Sequence, residues 1–515
     1  MNYPSFYSDL FRATLSETAL EIAALLVLVV DLGLLRKASL KTRGTSAALL
    51  GVVGCGAGLW ATVSQGAAGL SYGGATLLAA GSYVSVAQIG ILVLTALTLL
   101  LLIESAFTRN PGEYVAVVLM AAAGGLIIAA AQDLLVIFVG LELLSLSLYI
   151  LTAFAKQSAK GAEAALKYYL FGGMSAAFLL FGFSYLYGIS GSTSLHQIMD
   201  AYGWNAYHAA PMFYVAIILI VAGLGFKVAA VPFHLWAPDT YEGAPAPAAA
   251  FIASVSKVAS FALLISIAAA ASHVIDGRPF VVSTTVIDIP PGTLHPPVYL
   301  GFSVPWTLVL AVVALASMVV GNLAALAQTS VRRLLAYSAI AHAGYILLGL
   351  AFFTHSPLST NAILYYILTY GLTTIGAFGV VSVVEQATGS DRLDAFLGLH
   401  KRNPLVAAVA FVLFLSLAGI PPLVGFWAKF NLFAAVLGAR GGPLPFALVA
   451  LALAMSAVSL YYYLQVLKRA YVMPAVDETP IKASPVTLVV LLAIAAAVVV
   501  FGIFPALLQG WIASF

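Results

Sequence analysis

The sequence predicts an all-α integral membrane protein of about fourteen transmembrane helices, and three observations carry that expectation. Of its 515 residues, 62% are hydrophobic and only 8% are charged. The mean hydropathy of +1.05 excludes the several soluble domains this length would otherwise suggest. Apolar stretches of about 20 residues recur along the whole chain, each long enough to cross a hydrocarbon core of ~30 Å.

The spans follow in order. The first, 17–35, opens with Glu17 and Glu21 and is followed by Arg36, Lys37, Lys41 and Arg43. That is the reverse of a basic leader before a cleavage site, so it reads as a permanent span. Spans at 46–64 and 87–106 complete an N-terminal three-helix segment, residues 1–112. Spans 113–131, 133–154, 163–188, 211–242 and 245–271 form a first block, residues 113–271. An extracytoplasmic loop at 272–303 follows, and its β-prone run from Phe280 to Ile289 predicts a short hairpin. Spans 304–326, 332–353, 358–385, 404–438 and 443–471 form a second block, residues 304–471, and a C-terminal helix at 485–511 closes the chain within residues 472–515. The stretches 65–86 and 189–210 lack Lys and Arg and read as outer loops.

Charge placement checks the count. With the N-terminus outside, the inner loops hold fifteen of the 22 Lys and Arg residues; the outer segments hold only Arg12, Arg278 and Arg440. That asymmetry is the positive-inside rule, and a wrong count in the middle would scramble it. The predicted location is a bacterial plasma membrane.

Two spans are too long for simple helices. At 1.5 Å per residue, 211–242 would reach ~48 Å and 404–438 would exceed ~50 Å. The first contains Pro232 and Pro238, the second Pro421 and Pro422, and proline breaks a helix by removing a donor and clashing with the preceding turn. Unwound backbone at membrane depth is tolerated only inside protein or beside water. Each block has its broken helix fourth, at spans seven and twelve. Because each block has five spans, the second must run opposite to the first, giving two inverted five-helix repeats (spans 4–8 and 9–13). Matched broken helices of this kind point to a transport site.

Against so apolar a background, four ionisable groups stand out. Glu142 lies mid-span in Val139–Ser145, Lys227 near the first break, Lys257 in Ser254–Ala259, and Lys429 after the second break. An ionisable side chain at the bilayer centre costs at least ~2.5–3.5 kcal/mol and ordinarily lines an ion path. Lys227 is the expected partner of Glu142, so moving the carboxylate would load or release a proton; a static ion pair joining two helices is the competing reading. His234, in the first break, and His342, mid-span, have the residue type to relay protons, or are packing residues. Together these residues predict proton translocation.

Other chemistries lack support. One cysteine, Cys55, stands alone, and the sequence has no CxxC, CxxCH or paired-histidine metal motif. No cofactor is therefore expected in this chain. A net charge of +3 with no basic tail gives no reason to expect nucleic acid. The expected partners are the lipid bilayer, protons and other membrane proteins.

Four motifs resemble one family. They are DLLVIFVGLELLSLSLYILTAF (133–154), GFKVAAVPFHLWAPDTYEGAPAP (225–247), GNLAALAQTSVRRLLAYSAIAHAGY (321–345) and GIPPLVGFWAKFNLF (419–433). They are similar to the antiporter-like membrane subunits of proton-translocating NADH–quinone oxidoreductase, respiratory complex I, and most to the subunit N branch. The resemblance covers the chain from the first span onward. It implies a Glu142–Lys227 pair, Lys257 as central relay and Lys429 in a second half-channel. It also implies other complex I membrane subunits as partners, with NADH, FMN, iron–sulfur clusters and quinone bound in partner subunits. Arg332-Arg333 departs from a family pattern that often has Lys-Arg, and is assigned to topology. Subunits of multi-subunit cation/proton antiporters and of membrane-bound hydrogenases share the fold and form the alternative.

Overall fold

A computed structural model of the chain describes residues 3–65, 69–72, 74–103, 107–276, 303–353, 358–439, 443–475 and 477–514. Helix α1 (Tyr3–Ala13) precedes α2 (Leu15–Val29), which continues as a π-helical turn, Val30–Leu34, and the two meet at a bend of 69°. Then come α3 (Leu40–Gln65), a two-stranded antiparallel hairpin of β1 (Leu70–Tyr72) and β2 (Ala75–Leu78), and α4 (Ser82–Leu102). The first block holds α5 (Pro111–Ala130), α6 (Leu134–Thr152), α7 (Ala159–Ser190), α8 (Leu195–Val228), α9 (Trp236–Gly243), α10 (Ala246–Ala253) and α11 (Val255–Asp276). The second holds α12 (Ser303–Leu326), α13 (Val331–Ala351), α14 (Ser359–Thr388), the short α15 (Leu399–Arg402), α16 (Pro404–Ala418), α17 (Val424–Leu437) and α18 (Pro443–Tyr471), after which α19 (Pro485–Ile503) and α20 (Pro505–Ser514) complete the chain.

Among the described residues twelve helices are long and apolar enough to cross a bilayer, and the bent α1–α2 pair makes a thirteenth. Helices α16 and α17, at 15 and 14 residues, are each too short to cross alone, and together they fill the place of the broken twelfth span. Local sequence sets the ends. Asp133 accepts the Leu135 amide at the start of α6, Ser330 the Arg333 amide at the start of α13, and Ser484 the Thr487 amide before α19, each satisfying an orphan helix donor.

One expectation needs correction. Residues 189–210 are mostly not loop, because α8 starts at Leu195 and runs unbroken through Pro211; continuing the helix satisfies its own backbone polar groups. The 65–86 stretch carries the β1–β2 hairpin. Span eight stands as one span, Ala246–Ala270, with a local distortion at Ser254 (φ −117°, ψ −76°) three residues before Lys257. The hairpin expected within 280–289 lies outside the described residues.

The two blocks repeat one another in detail. Helix α8 ends at Ala229 in left-handed geometry (φ 60°), with the Ala229 and Ala230 amides returning to the Phe226 and Gly225 carbonyls. Helix α16 ends the same way at Gly419 (φ 86°), with Gly419 and Ile420 returning to Leu415 and Ser416. Each break also contains a cis peptide, Val231–Pro232 and Pro421–Pro422. Asp133 forms an isolated antiparallel bridge with Ser194, and Ser330 with Arg392. Gly124 and Leu144 stand to Asp133 as Gly321 and Ala341 stand to Ser330, nine residues before and eleven after. In each case the glycine lets two helices touch backbone to backbone: an added Cβ would lie 2.7 Å from the Leu144 nitrogen or 2.6 Å from that of Ala341. By the same register Ala339 falls where Glu142 does, and His342 where Ser145 does.

Candidate functional site

The first amine sits where α8 ends. Lys227 occupies the last turn of α8, is 5% exposed, and donates to Ser145 Oγ on α6 at 2.6 Å. Glu142, one turn earlier on α6, is half-buried. Lys227 and Glu142 interact through space but make no ion pair within 4.0 Å. The expected direct Glu142–Lys227 pair is therefore not formed, and Ser145 holds the ammonium instead. A serine three residues after the glutamate shares its helix face, which is the signal that could have identified it. The break is pinned by Trp236, whose indole donates to the Phe226 carbonyl at 2.9 Å and stacks on Tyr168 at 4.2 Å. It is tied to the second block by the Val231 amide, which donates to Ser317 Oγ on α12 at 2.9 Å.

The second amine, Lys257, is 3% exposed and donates to the Ala339 carbonyl of α13, with Tyr370 of α14 beneath it at 5.7 Å. Here too no carboxylate is the partner; Ala339 occupies the register position of Glu142. His342, one turn further along α13, meets Tyr366 OH at Nδ1 (2.9 Å) and Tyr463 OH at Nε2 (3.4 Å). Its ring packs on Tyr370 at 4.7 Å and edge-on against Tyr345 at 5.7 Å. A small pocket lies beside it, lined by Tyr366, Thr369, Tyr370 and Thr373 among others.

The third amine uses the second break. Lys429, 6% exposed on α17, donates to the Leu417 (3.2 Å) and Ala418 (2.9 Å) carbonyls at the open end of α16 and to Ser456 Oγ (2.8 Å). The final carbonyls of a helix lack intrahelical partners and carry its negative dipole end, so the unwinding at Gly419 is what furnishes this site. Tyr345 lies beneath the ammonium at 5.5 Å. Tyr345 OH accepts from Asn322 (3.0 Å), whose carbonyl oxygen accepts from Tyr462 (3.0 Å).

Lys257, Tyr370, His342, Tyr345 and Lys429 thus form one buried row of cations, rings and hydroxyls between α11 and α17. Ammonium groups held by neutral oxygens and ring faces, with no carboxylate to neutralise them, are desolvated at high cost. Such a group exchanges its proton more readily than one locked in an ion pair. The sequence located the three lysines and His342 but missed Ser145, Asn322, Ser456 and the tyrosines. His234 lies half-buried in the turn after Pro232, and no hydrogen bond or ion pair joins it to the lysines. Pro232, Pro238, Pro421 and Pro422 all lie at the two breaks, Pro238 inside the first turns of α9.

One end of the molecule carries a separate ion network. Arg333 bridges Asp239 (2.6 Å) and Glu242 (2.9 Å), which also pair with Lys167 and Lys160. Arg332, almost fully buried, donates to the Tyr241 and Ala244 carbonyls and pairs with Glu385 at 3.2 Å. These residues bind α9 of the first block to α13 and α14 of the second. Asp31 similarly takes Arg43 in a two-pronged contact of 2.6 and 2.7 Å.

Comparison with known proteins gives a consistent picture. The family model described as "NADH:quinone oxidoreductase/Mrp antiporter, TM" matches residues 131–289 and 293–458. The chain is 47% identical to an NADH-quinone oxidoreductase subunit N of Acidobacterium capsulatum, over 99% of both chains. It is 40% identical to a subunit N of Roseiflexus castenholzii, over 86% of this chain and 81% of that one. Among solved structures it is similar to a chain of respiratory complex I from Thermus thermophilus, at 31% identity and a TM-score of 0.73, covering 96% of this chain and 98% of that one.

Proposed function

The chain belongs to the NADH:quinone oxidoreductase/Mrp antiporter transmembrane family, among its subunit N members, and from that premise we propose that it translocates protons through Glu142, Lys227, Lys257, His342 and Lys429. Electron transfer in partner subunits, which hold the NADH, FMN, iron–sulfur and quinone sites, drives the movement. Proximity of Glu142 loads Lys227; its withdrawal releases the proton toward Lys257. His342, flanked by Tyr366 and Tyr463, links the central amine to Lys429, whose carbonyl cradle opens or closes with the second break. His234 borders the first break and conditions entry to Lys227. The protein sits in a bacterial plasma membrane with its N-terminus outside, beside other antiporter-like subunits.

The observation that carries this reading is that all three buried ammonium groups are held by neutral oxygens. Ionisable side chains at membrane depth that face the bundle interior and pair with backbone carbonyls ordinarily mark ion paths or proton relays. Lys257→Ala tests the reading: the complex should assemble and co-purify with its flavin and iron–sulfur subunits, while NADH-driven acidification of inverted vesicles falls several-fold. Wild-type acidification by the assembled variant would refute the relay. Glu142→Ala should impair coupled turnover, and Glu142→Asp should keep part of it.

A further inference from the structure

We propose that Asn322 is a positioning residue for the Lys429 site: it clamps the Tyr345 phenol so that the ring face stays under the ammonium, where the second block has no carboxylate. This inference rests on the translocation reading and concerns how that one site holds its charge. Asn322 lies on α12 with no exposed surface. Its amide nitrogen donates to the Met318 carbonyl one turn earlier (2.7 Å) and to Tyr345 OH on α13 (3.0 Å). Its carbonyl oxygen accepts from Tyr462 OH on α18 (3.0 Å), so both ends of the amide are committed. A backbone carbonyl can only accept. Met318 therefore fixes which end of the amide is nitrogen, and with it the bond to Tyr345.

Three helices thus converge on one side chain, and what they hold is a ring. The Tyr345 ring lies 5.5 Å from the Lys429 nitrogen and is backed edge-on by Phe433 at 5.9 Å. A cation is attracted to the face of a ring and not to its edge, so pinning the phenol sets the strength of the contact. The repeat between the blocks shows where such a clamp is needed. At the register that aligns Ser330 with Asp133, Asn322 corresponds to Gly125 and Tyr345 to Leu148, neither with a polar side chain. The first block instead has Glu142 near its lysine, where the second has Ala339. Helix α18 supports both ends of the arrangement. Ser456 accepts from Lys429 (2.8 Å) and Tyr463 OH meets His342 at 3.4 Å, and residues seven apart lie on one helix face. Tyr462, its ring 4.5 Å from that of Tyr463, turns to Asn322 instead. Because α18 runs unbroken from Pro443 to Tyr471, Asn322 refers the amine of a broken span to a continuous helix. The titratable groups facing Lys429 are Tyr345 and His342 on α13, Tyr366 and Tyr370 on α14, and Tyr462 and Tyr463 on α18; α16 and α19 carry none. Lys257 stands beyond Tyr370.

The test uses the intact complex in inverted vesicles. Asn322→Leu, close in volume, and Tyr345→Phe, which keeps the ring and drops the hydroxyl, should each slow NADH-driven acidification about threefold. Each should also move the alkaline limb of its pH profile ~0.5 unit lower, the scale of one cation–π contact, because a weakened contact favours the neutral amine. The double variant should be no worse than Asn322→Leu alone, since both substitutions remove the same bond. A merely structural Asn322 would lower the yield of assembled complex while leaving the pH profile in place, and its loss would add to that of Tyr345→Phe. Either an unmoved profile or additive losses would overturn the clamp. Should Asn322→Leu fail to assemble, Tyr345→Phe decides alone, and a wild-type rate and profile would refute the proposal. Lys429→Ala separates the two levels. If it stops pumping while both variants match wild type, only the clamp fails; if it pumps normally, the translocation reading itself fails.

Discussion

Arg332 and Arg333 are adjacent in sequence and equal in charge, yet the structure assigns them very different weight. The Arg332 side chain is 6% exposed and serves three acceptors, the Tyr241 and Ala244 carbonyls and Glu385. Arg332→Ala strips all three at once. Removing one partner of a buried pair costs ~3–5 kcal/mol, and since Glu385 is 33% exposed water recovers part of its loss, placing the cost near ~3 kcal/mol. The Arg333 side chain is 28% exposed, and its partners Asp239 and Glu242 retain Lys167 and Lys160. Arg333→Ala should therefore cost only about 0.2–1 kcal/mol, the range of exposed pairs. Arg332→Lys should fall between, since an ammonium keeps the charge but cannot span carbonyls and carboxylate in one plane. Thermal unfolding of the detergent-solubilised protein, followed by tryptophan fluorescence, reads the order directly. If Arg333→Ala lowered the midpoint as much as Arg332→Ala, the assignment of Arg332 as the tie between the two blocks would be wrong.

Other outcomes follow from the same geometry. Ser145→Ala leaves the Lys227 ammonium without its hydrogen bond, at ~1–3 kcal/mol or more for a charged group, and should lower NADH-driven pumping; Ser145→Thr should largely restore it. Gly425→Ala would set a Cβ 1.9 Å from the Ser416 carbonyl oxygen, a backbone atom that cannot swing aside, so membrane levels of the subunit should collapse. Gly56→Ala, which meets nothing within 4 Å, should be tolerated by the same immunoblot measure. Asp133→Ala removes the cap of α6 and its bond to Thr193, and should cost ~0.5–2 kcal/mol for the cap alone, again read as a lowered thermal midpoint.

Much of the architecture was legible because lipid enforces simple rules. Runs of apolar residues had to be helices, and the prolines at 232, 238, 421 and 422 could only break them. What escaped were features whose signal is not hydropathy. The polar start of α8 resembles a loop in composition, though it is helical. The distortion at Ser254 has no proline or glycine to announce it. Of the site, the three lysines were visible because charge is rare in this chain. Their actual partners were not, since carbonyls of Ala339, Leu417 and Ala418 leave no mark in side-chain identity. Ser145 was hidden among many ordinary serines. The expectation that a lysine seeks a carboxylate then supplied Glu142 where the structure places a hydroxyl.

The carbonyl pair holding Lys429 belongs to the last turn of α16, and the peptide that ends that turn is set by the left-handed torsion at Gly419. An added Cβ there would sit 3.2 Å from the lysine nitrogen itself. The turn and the buried amine are thus in physical contact, with no intervening lever. In the translocation reading proposed above, a tug on the helix would be felt at once as a change in the number of oxygens around a single nitrogen.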